Sequence, residues 1–409
     1  MAMKIFVCAL LATVSLAARV NDTLGPRAVK GHQLEYVAAV WRHGDRAPTA
    51  SFKNDLYPES FWDYGYGQLT NYGIEQHREL GKWIRARYIE AFKFLPETFD
   101  GDAIKIRSTY INRTRESALY NFKGLYGENI TFDTLNIVSP SDSDLDIVGV
   151  PYRHCNYTDQ LGAAGLNTSE VANYLSDNQK LLEFLEDANN LKPSVLLYLM
   201  VLADSLTTEK AKGLNLSAEY EAIYDQIYDF YVKAFEFNYG FGVSTQNGVN
   251  WRFELVKMMS GGLFNSFVHD LKVISFCNNV FHKIFNPICY QRASTELKYR
   301  VFSAHDVNVL GFLNNLNFSY LDYDRNDDAP LCSAIFVELW KDPLTQAEYI
   351  KVIYRRSEDE IFDLSEEIPD CKSIGKGLGC SVDDFVARSE KYRIRNESEY
   401  CAQQLTLSN

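Results

Sequence analysis

An apolar run that ends in a cluster of cationic side chains constrains the fold of this chain more than any other feature. Residues 36–41 are continuously apolar and are bounded by turn residues, a pattern that predicts a buried β-strand. The chain continues as Arg-His-Gly-Asp-Arg-Ala-Pro at 42–48. Because ligands of open α/β sheets bind at the carboxyl ends of the strands, we expect an anion-binding loop there.

Two other predicted strand ends carry side chains that suit the same anion. Arg113 comes just after the strand-like residues 103–109, and His305 and Asp306 come directly after the strand-like residues 299–304. Arginine presents a planar fork of donors that matches phosphate oxygens and keeps its charge at any relevant pH. A solvated loop with a chance basic cluster would have no such partners. The sequence therefore predicts that three strand ends converge on one phosphate group.

The order of predicted elements indicates an α/β fold with an inserted helical segment. A strand, a helix beginning after Thr70 and a second strand imply a crossover and a parallel sheet. We predict a discontinuous α/β domain over 28–150 and 286–409 and a smaller helical cap domain over 151–285 that covers the site. Further strands are predicted at 133–138, 298–304, 333–340 and 348–354, and helices at 116–126, 179–190, 195–205, 217–237 and 264–284.

The first residues and the composition bear on where the protein acts. Residues 1–17 have the shape of a secretory signal peptide, with Lys4, an apolar stretch and a small-residue cleavage site. The longest later apolar run, 195–203, is too short to span a bilayer, so we expect no membrane anchor. The net charge of −13, from 41 basic and 54 acidic residues, argues against nucleic acid as a partner.

At this point the chain resembles a known family, the histidine acid phosphatases. The likeness lies in the 42–48 motif, Gly-Tyr-Gly-Gln-Leu-Thr at 65–70, Ile-Arg-Ser-Thr at 106–109 followed by Arg113, Ser-Gly-Gly at 260–262 and Ser-Ala-His-Asp at 303–306. It runs from about Leu34 to the C-terminus. The resemblance implies a phosphoglycerate mutase-like sheet flanked by helices, phosphatase activity in the secreted or lysosomal space, and a homodimer, which the sequence itself does not show.

The residue types and the resemblance give the same assignment of roles. His43 is the candidate nucleophile, and Asp306 is the candidate proton donor to the leaving group. Arg42, Arg46, Arg113 and His305 are predicted to bind the phosphate of small-molecule or protein phosphate monoesters. Because arginines supply the electrostatic stabilisation, no metal and no other cofactor is expected. Arg107 is expected to support the sheet or form an ion pair, Asp45 to position the neighbouring arginines, and the acidic loop 322–328 to be solvated.

The cysteines and sequons fit a secreted glycoprotein. Seven of the eight cysteines follow the predicted signal, without metal-type spacing, which favours disulfides. The family resemblance pairs Cys155 with Cys401 and Cys371 with Cys380, after which Cys277 and Cys289 could close a loop and leave Cys332 free. Eight Asn-x-Ser/Thr sequons mark candidate glycosylation sites at Asn21, Asn112, Asn129, Asn156, Asn167, Asn215, Asn317 and Asn396.

Three alternative functions remain open from the sequence. A phytase-like inositol polyphosphate phosphatase of the same architecture would need a strongly basic cap, and residues 151–285 contain few clustered Lys or Arg. A catalytically silent phosphate-binding secreted glycoprotein would have no need of both His43 and Asp306. A cytosolic phosphomutase could share the histidine nucleophile, but the signal and the expected disulfides disfavour it.

Overall fold

The computed structural model describes residues 23–189, 195–278, 282, 286–287, 289, 297–375 and 377–408. The predicted signal peptide, the last residue of the predicted helix 179–190 and part of the predicted helix 264–284 lie outside the described residues.

A single sheet of seven strands forms the centre of the described structure, in the order β2-β3-β1-β4-β5-β6, with β7 paired to β5. The strands are β1 (Gln33–Arg42), β2 (Ile104–Ser108), β3 (Tyr299–Ala304), β4 (Ala334–Lys341), β5 (Glu348–Arg355), β6 (Ile361–Asp363) and β7 (Cys380–Ser381).

The part of the sheet that carries the predicted site is parallel, as expected. Strand β3 lies between β2 and β1, with Arg42 opposite Ala304 and Ser108 opposite Ser303, so the three strands end side by side. From β1 outward to β4, β5, β6 and β7, each pairing is antiparallel, so the whole sheet is mixed. For β4 and β5 the cause is local, because the connection that joins them is too short for a crossover and permits only an antiparallel pair. The predicted α/β fold is confirmed.

Helices cover both faces of the sheet and form the segment between its halves. They are α1 (Asn71–Ile84), continued by a π-helical turn (Arg85–Ala91), α2 (Asn112–Tyr126), α3 (Phe132–Leu135), α4 (Asn156–Gly165), α5 (Ser169–Asp177), α6 (Gln179–Asn189), α7 (Val195–Ala211), α8 (Ala218–Glu221), α9 (Tyr224–Asn238), α10 (Trp251–Asn278), α11 (Asp306–Asn315), α12 (Val382–Ser389) and α13 (Glu397–Cys401). Two 3₁₀ turns occupy Glu59–Phe61 and Glu390–Tyr392.

The predicted strand at 133–138 is wrong. Thr131 caps the short helix α3 by accepting a hydrogen bond from the Thr134 N–H, and Asn136 ends it in a left-handed conformation. Only Val138 makes a bridge to Arg107 of β2. Local capping side chains therefore override the apolar pattern there. The predicted helix 217–237 is divided between α8 and α9.

The strands divide the interior into two large cores, and a third core lies in the helical segment. Because side chains alternate along a strand, β1 contributes Val37, Ala39 and Trp41 to the core with α1 and α2, and Tyr36, Ala38 and Val40 to the core with α10 and α11. The third core joins α6, α7 and α9 with Phe52. Helix α10, although within the predicted cap, packs on the sheet.

Three disulfides link Cys155 to Cys401, Cys277 to Cys289 and Cys371 to Cys380, while Cys332 is a buried free thiol. The first and third pairs are those that the sequence resemblance implied, and the second is the loop that the remaining cysteines could close. Across the described ranges, none of the helices combines the length and the apolar character that crossing a bilayer requires.

Candidate active site

His43 lies at the end of β1, where the parallel strands terminate, and only 1 % of its surface is exposed. Its Nδ1 atom is 2.9 Å from the carbonyl oxygen of Gly44. A carbonyl oxygen can only accept, so in the neutral ring Nδ1 carries the proton and donates it. The Nε2 atom is then left with a free lone pair, which is the atom that a nucleophilic histidine needs.

The environment of His43 keeps the ring neutral. Burial lowers its pKa well below the usual value, and Arg113, Arg46 and Arg42 lower it further in that order. His305 at the end of β3 behaves in the same way, because burial and the same three guanidiniums lower its pKa. The two rings lie edge to face with their centroids 5.6 Å apart. His305 Nε2 lies 3.1 Å from the hydroxyl of Thr109, which fixes the ring.

The three arginines reach the site from two elements. Arg42 is the last residue of β1 and Arg46 lies in the loop that follows it, whereas Arg113 lies in the first turn of α2. Burial, followed by the nearby Arg46, lowers the pKa of Arg113 to about 10, and Asp306 opposes this shift. Arg113 therefore remains charged at acid and neutral pH. In the described structure its Nε atom is buried without a hydrogen bond.

Asp306 begins helix α11 beside these arginines. Its Oδ1 accepts a hydrogen bond of 2.7 Å from the N–H of Val307, and its Oδ2 lies 2.9 Å from Nη2 of Arg42. The Asp306 carboxyl is therefore held between the N-terminus of α11 and the guanidinium of Arg42, a candidate phosphate-binding residue. Asn308, in the first turn of α11, accepts a hydrogen bond from the His305 N–H and donates one to the Val148 carbonyl oxygen.

The sequence missed two carboxylates that hold these arginines. Asp328 lies 2.7 Å from Nη1 of Arg42, and Asp204 of α7 receives two hydrogen bonds from Arg46, at 2.6 and 3.1 Å. Neither aspartate belongs to a motif. The interpretation of 322–328 as a solvated loop is wrong for Asp328 and for Asp322, which is 1 % exposed and accepts from the Tyr354 hydroxyl.

Two further expectations can be compared with the contacts. Arg107 forms an ion pair with Asp146 at 2.6 Å, which confirms the expected supporting role. Asp45 was expected to position the arginines, but its carboxylate instead pairs with Lys212 and accepts from the Thr70 hydroxyl. The cause is the helical segment between the halves of the sheet, in which Lys212 directly follows α7 and lies against the loop.

The structure thus places all six predicted site residues in one neighbourhood. A neutral imidazole with a free Nε2, three guanidiniums and a carboxyl meet at the carboxyl ends of parallel strands. This fold and this arrangement suit the class of α/β phosphatases in which a histidine attacks the phosphorus.

Comparisons with known proteins agree with that class. The chain belongs to the histidine phosphatase superfamily (branch 2), whose model matches residues 33–355. It is 27 % identical over 384 residues to lysosomal acid phosphatase of Xenopus laevis, covering 91 % of this chain and 79 % of the relative. It is 26 % identical over 349 residues to prostatic acid phosphatase of Mus musculus, covering 83 % and 82 % of the two chains.

The fold is also similar to that of solved structures. The apo form of Hafnia alvei phytase matches with a TM-score of 0.62 at 16 % identity, covering 92 % of this chain and 100 % of that chain. At this identity the likeness concerns the fold alone.

Proposed function

We propose that this chain is an acid phosphatase that hydrolyses phosphate monoesters through a phosphohistidine on His43. The observation that carries the proposal is the buried His43 ring, whose Nδ1 is tied to the Gly44 carbonyl and whose Nε2 is free among three guanidiniums. The acid phosphatases to which the chain is similar over most of its length support it. A silent phosphate-binding glycoprotein would not require this tautomer.

The first chemical step transfers the phosphoryl group to His43. The Nε2 lone pair attacks phosphorus, the ester P–O bond breaks, and the leaving oxygen takes the proton of Asp306 and departs as an alcohol. Arg42, Arg46 and Arg113, with His305, bind the phosphoryl oxygens and stabilise the charge that develops on them. Because burial and the guanidiniums disfavour protonation of His43, the nucleophile stays available under acid conditions.

The second step hydrolyses the phosphohistidine. Asp306, now a carboxylate, accepts a proton from a water molecule as the water oxygen attacks phosphorus. The N–P bond breaks, His43 regains its lone pair, and inorganic phosphate leaves. Asp306 ends the cycle protonated. The chain's own groups thus account for each proton and electron pair in both steps.

The setting of this activity is part of the proposal. The predicted signal, the three disulfides and relatives named for the lysosome and the prostate support action in a secreted or lysosomal space. We propose phosphate monoesters as the substrates and a homodimer as the assembly. The carboxylates that flank the arginines favour a substrate with one phosphate over a densely phosphorylated inositol.

The test is hydrolysis of p-nitrophenyl phosphate from pH 3 to pH 8. We expect His43→Ala to lose at least about a thousandfold in kcat, because the covalent route disappears. Asp306→Ala should lose about a hundredfold or more on an alkyl phosphate, and much less on p-nitrophenyl phosphate, whose leaving group needs little protonation.

The matched control is His269→Ala, at an exposed histidine of α10, which should keep wild-type activity. Loss of activity in the control alone, or wild-type activity in both His43→Ala and Asp306→Ala, would contradict the proposal.

A further inference from the structure

Asp328 is an acidic residue in the site that neither proposed chemical step uses. Its Oδ2 lies 2.7 Å from Nη1 of Arg42, and its side chain is only 16 % exposed. The same Nη1 atom also donates to the carbonyl oxygen of Ala329. Within the described ranges, Oδ1 of Asp328 is buried and has no hydrogen-bond partner. Asp328 is therefore held by Arg42 on one side only.

This arrangement puts Asp328 in competition with a substrate. Arg42 has its Nη1 donors engaged by Asp328 and Ala329 and its Nη2 in contact with Asp306, at 2.9 Å. The Nε atom of Arg42 is buried without a hydrogen-bond partner in the described structure, so a phosphate can bind there, but it then approaches the negative charge of Asp328 and gains Nη1 only by displacing that carboxylate. A neutral carboxyl at the same place would release the donors and remove the repulsion.

We propose that Asp328 is a positioning residue that makes anion binding by Arg42 depend on pH, because its charged form competes with phosphate and its neutral form does not. This inference deepens the proposed function, since it rests on the assignment of Arg42 to the phosphate site. Under this proposal the enzyme binds its substrate more weakly at neutral pH. The preference for acid conditions then has a second cause, besides the proton that Asp306 donates.

The electrostatic surroundings of Asp328 support a titration in the relevant range. Burial raises its pKa to about 7; Arg42 opposes the rise, whereas Asp306 and Asp327 add to it. Three tyrosines also face Asp328: Tyr228 and Tyr231 of α9, and Tyr239 directly after that helix. Burial raises the pKa of each above its usual value. These phenols stay neutral below pH 8. Asp328 therefore binds a proton at a higher pH than an ordinary aspartate, and under the proposal its charge changes between pH 5 and pH 8.

Asp204 provides an internal contrast. It holds Arg46 through both carboxylate oxygens and also accepts from the N–H and hydroxyl of Thr49. Burial would raise the pKa of Asp204, but Arg46 and the Thr49 donors outweigh burial and hold it below its usual value. Asp204 thus stays charged throughout the range in which Asp328 titrates.

The test is the binding of sulfate, which keeps a charge of −2 from pH 5 to pH 8 and undergoes no turnover. The dissociation constant is measured by calorimetry on the full-length protein at pH 5, 6, 7 and 8. For the wild type we expect the constant to rise about fivefold across this range, the effect of a charge pair of about 1 kcal/mol. For Asp328→Asn, which is neutral throughout, we expect a flat profile close to the wild-type value at pH 5.

Three further variants separate Asp328 from other causes. Asp328→Glu should keep the pH dependence, because it retains a carboxyl at position 328. Asp306→Asn should also keep it but move it to lower pH, because Asp306 adds to the raised pKa of Asp328. Asp204→Asn should change the dissociation constant by the same factor at every pH. A flat wild-type profile, or an equally steep Asp328→Asn profile, would overturn the proposal. Because sulfate binding involves no chemistry, a protein without phosphatase activity would fail the proposed function but could still pass this test.

Discussion

His77 is a buried histidine whose pKa is lowered mainly by burial and also by the charge of Arg355. Its side chain is fully buried on α1, with its ring 6.0 Å from that of Trp41. Burial lowers its pKa to about 3, and the nearby backbone of Arg42 offsets only part of that effect. The folded protein thus keeps His77 neutral at pH 5, whereas the unfolded chain protonates it below about 6.5. Stability must then fall as pH drops through that value.

The prediction is that His77→Leu removes this part of the acid destabilisation. A histidine that stays neutral when folded costs about 1.4 kcal/mol for each pH unit below about 6.5, or about 2 kcal/mol at pH 5. The free energy of unfolding from urea titrations at pH 7.5 and pH 5 should therefore fall by about 2 kcal/mol less in the variant than in the wild type. His269→Leu, at an exposed position, serves as control. An unchanged pH slope for His77→Leu would refute the account.

The sequence predicted the site residues that belong to short motifs and missed those that do not. His43 and Arg42 are recognisable because the residues beside them complete a short signature after a strand. Asp328 and Asp204 meet their arginines across 286 and 158 residues of sequence. No local pattern marks such a carboxylate, because its function depends on where the fold places it.

Among the elements, α1 holds the loop 42–48 through a direct backbone contact. A Cβ atom added at Gly73 would lie 2.0 Å from the carbonyl oxygen of Asp45, and one added at Gly44 would lie 2.4 Å from the carbonyl oxygen of Gly73. Thr70 caps the helix by accepting from the Gly73 N–H, as the sequence predicted. The first turn of α1 therefore fixes the backbone that carries His43.

Gly73→Ala should displace this loop. We expect a loss of about 1–3 kcal/mol in the free energy of unfolding from the added methyl group. We also expect kcat/KM for an aryl phosphate to fall about a hundredfold, the cost of a misplacement of about 1 Å. The matched control is Gly162→Ala on α4, where an added Cβ meets nothing within 4 Å. That variant should gain about 0.5–1 kcal/mol and keep its activity. Equal behaviour of the two variants would show that the close contact is unimportant.

The sequence located several strands and helices but did not show how the helices pack. Apolar runs located β1, β3, β4 and β5 because a buried strand needs little else. Helix α10 was assigned to the cap because it follows the other helices in the chain, but its side chains pack on the sheet. Helical periodicity indicates that one face of a helix is buried, but it does not indicate which element packs against that face.

In the whole molecule, the helical segment is tied to the rest at widely separated points. Asp204 and the nearby Lys212 contact the loop after β1, through Arg46 and Asp45. The disulfide between Cys155 and Cys401 connects the start of the segment to the C-terminal helix α13. These links hold Asp204 of the helical segment against Arg46, so that segment contributes part of the charge of the site.

The disulfides should differ in their effect on the stability of the whole fold. The Cys155–Cys401 bridge spans 246 residues, whereas the Cys371–Cys380 bridge spans 9. Because a cross-link restricts the unfolded chain more when it closes a longer loop, replacing the first pair by serines should cost about 2–3 kcal/mol more than replacing the second. Urea denaturation of the two double variants, each with the remaining disulfides intact, measures the difference. A larger loss from the short bridge would mean that local packing at Cys371 and Cys380, and not chain entropy, dominates.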